Sequence, residues 1–486
     1  MNNKKKGLAF SLLTMMLVAT ACGGNNNGNA GASASSSASA SPSASASASD
    51  AGASSPAAST EAPKITMTIQ YPKPDNTESI ALEDSRIKRF EEKYPNVTIK
   101  KNDWQYAPSE IGIKMAAHQA QAAFNTFATE GKTLSEHQWA ADLTSLMAGY
   151  EHANDFNEKL LGPMTIGGKL YALPYDGYIM NVMINKKLFQ DKNVPLPTAD
   201  WTWDDFYNAA KATADPAKGI AGFAIMAKGN EGGWNWTNFL YQAGGTAENV
   251  ADGKVTSAFN SDAGVKAMEF LKKLRWEANA LPQNWALNYN ETYNLFKQGR
   301  AAMVIGQKIE DSVNQAGMKK EDLMVLPMPS MEKGGDHVGV MGGNYRVINP
   351  QESPEVQQAA FNYLTLDYFN QSGLDELKRI LDERKANNQV YFWDPTSVYY
   401  NIDSDYGSQM KDVLAQYSDT VFTVDDQAVT MMKGEPEATY NAQDYYGAIT
   451  TAMQAILSDK NADPKAELDK AAKKFDTEVL SKIKVE

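Results

Sequence analysis

The stretch "KITMTIQYPKPDNTESIALEDSRIKRFEEKYPNVTIKK", residues 64–101, decides the fold class. Ile65, Met67, Ile69 and Tyr71 alternate with other residues at period 2, the pattern of a half-buried strand. A helical pattern follows from about Ser79 to Lys93 and stops ahead of Pro95. "VTIKK", from Val97, is a second short strand. Beyond it, "SEIGIKMAAHQAQA" predicts a helix capped by Ser109, and "AFNTFATE" a strand opening into a loop. Strands alternating with helices predict an α/β protein built on a parallel, helix-covered sheet. Ligands of such sheets bind beyond the carboxyl ends of the strands. That places interest on the loops beginning near Tyr71 and Thr129.

Further along, Thr202 followed three residues later by Asp205 has the form of a capping box. Val265, Met268, Leu271 and Leu274 share one helical face, and "AAMVIG" is a short apolar run suited to a buried strand. Ser353 and Pro354 mark a helix start. Leu468, Ala472, Phe475 and Val479 form the apolar stripe of a long C-terminal helix.

The amino terminus is of another kind. Lys4, Lys5 and Lys6 precede an apolar run, Leu8 to Ala21, that is shorter than the ~20 residues a membrane span needs. A positive head, a short apolar stretch and the small residues Ala19, Thr20 and Ala21 describe a secretory signal peptide. Cys22, the only cysteine in 486 residues, follows directly. The arrangement resembles a bacterial lipobox, with Ala19 where leucine is common. In such a motif the thiol takes the lipid and the cysteine becomes the mature N-terminus. Ordinary secretion with an incidental thiol is the other reading. From Gly23 to about Pro63 the chain is a Gly/Ser/Ala tract without apolar bulk, a flexible leash with a reach of about 35 Å.

Loss of the leader's three lysines leaves 43 basic against 59 acidic residues, a formal charge near −16. Such a body is poorly suited to nucleic acid or anionic lipid.

"GKLYALPYDGYIMNVMINKKLF", from Gly168, resembles a signature of the extracellular solute-binding proteins of ABC importers, the group that includes maltose-binding protein. "RFEEKYPNVTIK", "TWDDFYNAAKA", "FNSDAGVKAMEFLKKL", "YNLFKQGRAAMVIGQ" and "VLPMPS" with "GVMGGNYRVI" resemble further family landmarks in the family's order. The resemblance implies an α/β, two-lobed, periplasmic-binding-protein-like fold with a hinge and an interlobe ligand cleft. It implies crossings near Pro174–Gly177, where a proline and a glycine end a strand in a turn, and near Gly306. The expected division is 1–21 signal peptide and 22–63 lipidated N-terminus and linker. Residues 64–175 form lobe 1, 176–305 lobe 2 and 306–374 the return to lobe 1. Residues 375–486 form an insertion and C-terminal helices, mainly on lobe 2. The insertion itself, about 375–426, has no counterpart in shorter members.

The same resemblance implies capture of a sugar or oligosaccharide for an ABC permease, at the extracellular face of the cell membrane, by a monomer anchored through Cys22. No cofactor, metal or nucleic acid is expected. Sugar rings pack C–H faces on indoles and give hydroxyls to carboxylates and amides. Trp234 and Trp236, beside Gly232 and Gly233, are candidate platforms, or else anchors of a loop. Tyr175, Asp176 and Tyr178 lie at the expected hinge, with Asp176 an acceptor of hydroxyls or a turn residue bonded to its own backbone. Asn344 and Tyr345 follow two glycines, as ligand contacts or as a plain turn. Tyr71 ends the first strand. Glu130 and Gln307 are carried over from the family's usual cleft positions. Trp393 lies in the insertion.

The rival class is a secreted, lipid-anchored glycoside hydrolase with paired carboxylates. His118, His137, His152 and His337 are isolated, and no metalloprotease, G-x-S-x-G or phosphate-loop motif is present.

Overall fold

Strand β1 (Ile65–Gln70) buries Met67 and Ile69 because alternate side chains of an extended chain share a face. The computed structural model describes residues 63–306, 309–483 and 485; Cys22, the leader and most of the leash lie outside the described residues. The helix Thr77–Lys93 starts ahead of the expected Ser79 because the Asn76 side chain accepts the Ser79 N–H at 3.1 Å. β2 (Val97–Asn102) and β3 (Ala123–Phe127) both pair with β1 in parallel. Ser109 does not cap the next helix, which is Ile111–Ala116 with Glu110 at its N-cap and no side-chain bond there.

A small hairpin, β4 (Thr165–Ile166) and β5 (Lys169–Leu170), precedes β6 (Leu173–Ile179). Only Met180 separates β6 from β7 (Asn181–Asn185), which opens a second sheet. β8 (Ala221–Ala224) joins that sheet, while β9 (Glu248–Ala251) and β10 (Lys254–Ser257) pair with each other. β11 (Ala301–Gly306) and β12 (Leu323–Pro327) complete it in the order β12-β7-β11-β8.

β13 (His337–Ile348) returns to the first sheet, antiparallel to β3 and to β6. β14 (Tyr391–Trp393) pairs with β15 (Val421–Thr423), and β16 (Met432–Pro436) runs parallel to β13. The first sheet is therefore mixed rather than all parallel, because its last long strand arrives from the other lobe.

Two hydrophobic cores mark the lobes. Met67, Phe90, Phe124, Tyr345 and Val347 belong to one; Met183, Phe223, Phe239, Met303 and Ile449 belong to the other. β6 and β13 connect them: Leu173 packs in the first core and Ile179 in the second, Val340 in the second and Tyr345 in the first. The stretch Pro174–Gly177 is uninterrupted strand, not a turn. After Gly306 the chain stays with the second core through Ile309, Leu323 and Val325, so it returns along β13 rather than at Gly306. The 375–426 segment divides differently from expectation as well: Leu377, Leu381, Tyr406, Met410 and Val421 pack into the first core. The final helices, Ala442–Ser458 and Pro464–Glu478, pack into the second.

Candidate functional site

The strand ribbon between the lobes sorts its side chains by parity. On β13, Tyr345 and Val347 point into the first core, so Gly342, Asn344 and Arg346 lie on the opposite face. The pairing register sets Gly342 beside Tyr178, Asn344 beside Asp176 and Phe127, and Arg346 beside Asn125. Asn344 Nδ2 donates to Asp176 Oδ1 at 2.6 Å. A register shift at Asn344/Tyr345 leaves Tyr175 bulged, and its ring lies under the Arg346 guanidinium at 4.8 Å. One face of the ribbon thus carries a line of polar and aromatic groups.

At its second-lobe end stands Glu437. Its Oε1 accepts from the Tyr178 hydroxyl at 2.5 Å and its Oε2 from Tyr446 at 2.7 Å. Gly342 makes this pair possible, since a Cβ there would stand 2.2 Å from Glu437 Oε1. The Trp234 ring meets Tyr178 edge-on at 5.8 Å. Burial raises the Glu437 carboxyl above its usual range despite the two tyrosine hydroxyls, and nearby Glu130 raises it further. Burial likewise raises the Tyr178 hydroxyl well above its usual range.

Glu130 is at the first-lobe side. Its Oε2 accepts from Tyr106 at 2.6 Å and its Oε1 from Thr129 at 3.0 Å. Burial is again the main cause that lifts its carboxyl above the usual range. Phe127, on the polar face of β3, stays 43% exposed and meets Tyr106 at 78°. The lobes touch here, with Gln443 Nε2 donating to Thr129 Oγ1 at 3.3 Å and Lys132 standing over the Tyr440 ring.

The structure places the expected contacts unevenly. Glu130, Asp176, Tyr178, Trp234 and Asn344 border this polar line. Tyr71 lines a large neighbouring cavity with Tyr175, its hydroxyl donating to Asp84 at 2.8 Å. Trp393 lines a smaller cavity of about 250 Å³, together with Tyr175 and Asp176. Gln307 lies outside the described residues.

Trp236 and Tyr345 are corrections. The tryptophans sit in a helix, Gly229–Gln242, not in a loop. Residues two apart on a helix face nearly opposite ways, so Trp236 is fully buried in the second core while Trp234 is not. Gly232 and Gly233 serve helix packing: a Cβ on Gly233 would stand 2.3 Å from the Tyr446 carbonyl oxygen. Tyr345 is strand, not turn, and is fully buried with its hydroxyl on Leu160 O at 2.7 Å. Sequence reasoning missed Tyr106, Phe127, Arg346, Glu437 and Tyr446. Phe127 alone left a local signal, an aromatic at the parity of polar Asn125.

Over 301 residues the chain is 25% identical to the arabinooligosaccharide-binding protein of Bacillus subtilis (strain 168), covering 56% of this chain and 63% of that protein. The chain spans less than two thirds of the length of the curated relatives it matches. The fold matches a solute-binding protein of Thermotoga lettingae TMO bound with alpha-D-tagatose, with TM-score 0.63, 21% identity, and coverage of 85% of this chain and 99% of that one. It also matches the cyclic alpha-maltosyl-1,6-maltose binding protein of Arthrobacter globiformis, with TM-score 0.61, 16% identity, and coverage of 86% and 99%. These likenesses establish the two-lobed architecture. The bacterial extracellular solute-binding protein family matches residues 73–367, more than half of the sequence, and the chain belongs to that family.

Proposed function

We propose that the protein is the lipid-anchored solute-binding component of an ABC importer, capturing a sugar or oligosaccharide between its lobes and delivering it to the permease. The observation that carries this is the cluster of Tyr178, Trp234, Glu437 and Tyr446 facing Glu130 and Tyr106 near the ribbon that joins the lobes. Each carboxylate is held in place by hydroxyl donors and keeps lone pairs for further hydroxyl groups. The partly exposed rings of Tyr178, Trp234 and Phe127 supply flat apolar walls, while buried Tyr106 and Tyr446 hold the carboxylates, and such a mixture suits a polyhydroxylated ring. The sugars named for the relatives agree with this chemistry. The N-terminal signal and lone Cys22 support the anchor.

Binding without turnover is favoured because the family and the relatives are named as binding proteins. A thermal-shift screen against plant and bacterial oligosaccharides, each mixture then checked by mass spectrometry, tests the proposal. A raised melting temperature with the sugar intact is expected. A cleaved sugar would overturn the assignment, as would a panel without any stabilising sugar.

A further inference from the structure

Beyond Glu437, the polar face of the ribbon continues into a cavity of about 1150 Å³ lined by Gln70, Tyr71, Asn125, Tyr175 and Arg346. Three arginines border it, and two are satisfied. Arg86 Nη2 donates to Tyr363 O at 2.8 Å and Leu364 O at 2.9 Å. Arg89 pairs with Asp367 and lies 3.7 Å from Glu376. The Arg346 side chain has no hydrogen bond or ion pair among the described residues; the Tyr175 ring lies against its guanidinium, and Tyr368, Glu83 and Tyr363 nearby favour its charge without bonding it. Its remaining surface faces the cavity it lines. Glu83, a carboxylate on the same wall, accepts the Tyr363 hydroxyl. Asn125, paired in register with Arg346, also lines the cavity, and its side chain makes no hydrogen bond among the described residues. The helix Thr77–Lys93 presents its first turn, Thr77 and Ser79, to the same space. A helix start favours negative charge.

A part-buried guanidinium has five donors, and on this side only water or a ligand entering the cavity can meet them. Its planar fork matches a carboxylate. We infer that the cavity receives the carboxylate of a uronic-acid unit, held by Arg346 and Asn125, so that the captured oligosaccharide is acidic. This rests on the sugar reading and adds the ligand's charge to it.

The test is isothermal titration of the protein with matched pairs: a xylo-oligosaccharide with and without a glucuronic-acid branch, and trigalacturonate against galactotriose. A sugar phosphate is included as a second anion. The acidic member of a pair is expected to bind at least tenfold more tightly than its neutral partner. Arg346→Gln should remove that preference, so that the acidic member binds no more tightly than its neutral partner, and Arg346→Lys should retain part of it. Neutral members binding as tightly as acidic ones, or an unchanged preference in Arg346→Gln, would overturn the inference and leave the sugar reading standing. Preference for the sugar phosphate over both uronates would also overturn it. Binding of no sugar would overturn the sugar reading and the inference with it.

Discussion

Glu437 ties the stability of the fold to pH. Burial holds its carboxyl above the usual range, so the folded chain prefers to keep its proton. Between the usual glutamate range and that raised value, the folded state binds more protons than the unfolded chain, and stability falls as pH rises through the window. Glu437→Gln should therefore melt above the wild type at neutral pH, with the gap closing as the solution is acidified. A gap independent of pH would contradict this. Trp236 makes the opposite case, a side chain with no surface left to offer a ligand. Trp236→Ala should cost about 3–5 kcal/mol in denaturant unfolding. A loss below about 1 kcal/mol would return Trp236 to the cleft.

Among the elements, local signals were legible. The alternation of β1 is present as read, and the Thr202–Asp205 capping box forms with both of its bonds. Ser353 caps its helix with Pro354 at the first position. Each of these depends on residues within one turn or one strand. What stayed hidden depends on facing. The pair Trp234/Trp236 cannot be sorted without knowing which side of the helix meets the core. Gly232 and Gly233 resembled a loop because their partners, Thr450 and Tyr446, are distant in sequence. Glu437 is 259 residues from Tyr178, and no local pattern could join them. Asn344 and Tyr345 resembled a turn after two glycines, yet those glycines give space to Tyr178, Glu437 and the Tyr345 ring within a continuous strand. The helix contact gives a further expectation. Gly→Ala in an exposed helix stabilises by roughly 1 kcal/mol. Gly233→Ala should instead destabilise by about 1–3 kcal/mol, because the two helices must part. Urea unfolding decides the sign, and a stabilised variant would contradict the packing.

For the whole molecule, two hydrophobic cores are joined by the β6–β13 ribbon. The segment 371–423 adds a second tie. It packs into the first core, yet Val390 exchanges two bonds with Asn314 at 2.7 and 2.8 Å, and Phe392 N–H reaches Glu310 at 3.0 Å. The lobes also touch through Thr129 and Gln443. Hinged lobes that close on ligand should be wider on average without it. Small-angle scattering should give a smaller radius of gyration with saturating sugar than without. An unchanged radius would remove closure from the mechanism.

The central claim is that the Tyr178–Trp234–Glu437 cluster holds the sugar. Isothermal titration of the best sugar from the screen against Trp234→Ala tests it most directly, alongside the melting temperature of the variant. Loss of an indole wall should weaken binding at least tenfold, about 1.4 kcal/mol, with the fold intact. Unchanged affinity in a folded Trp234→Ala protein would contradict the claim and move the ligand elsewhere.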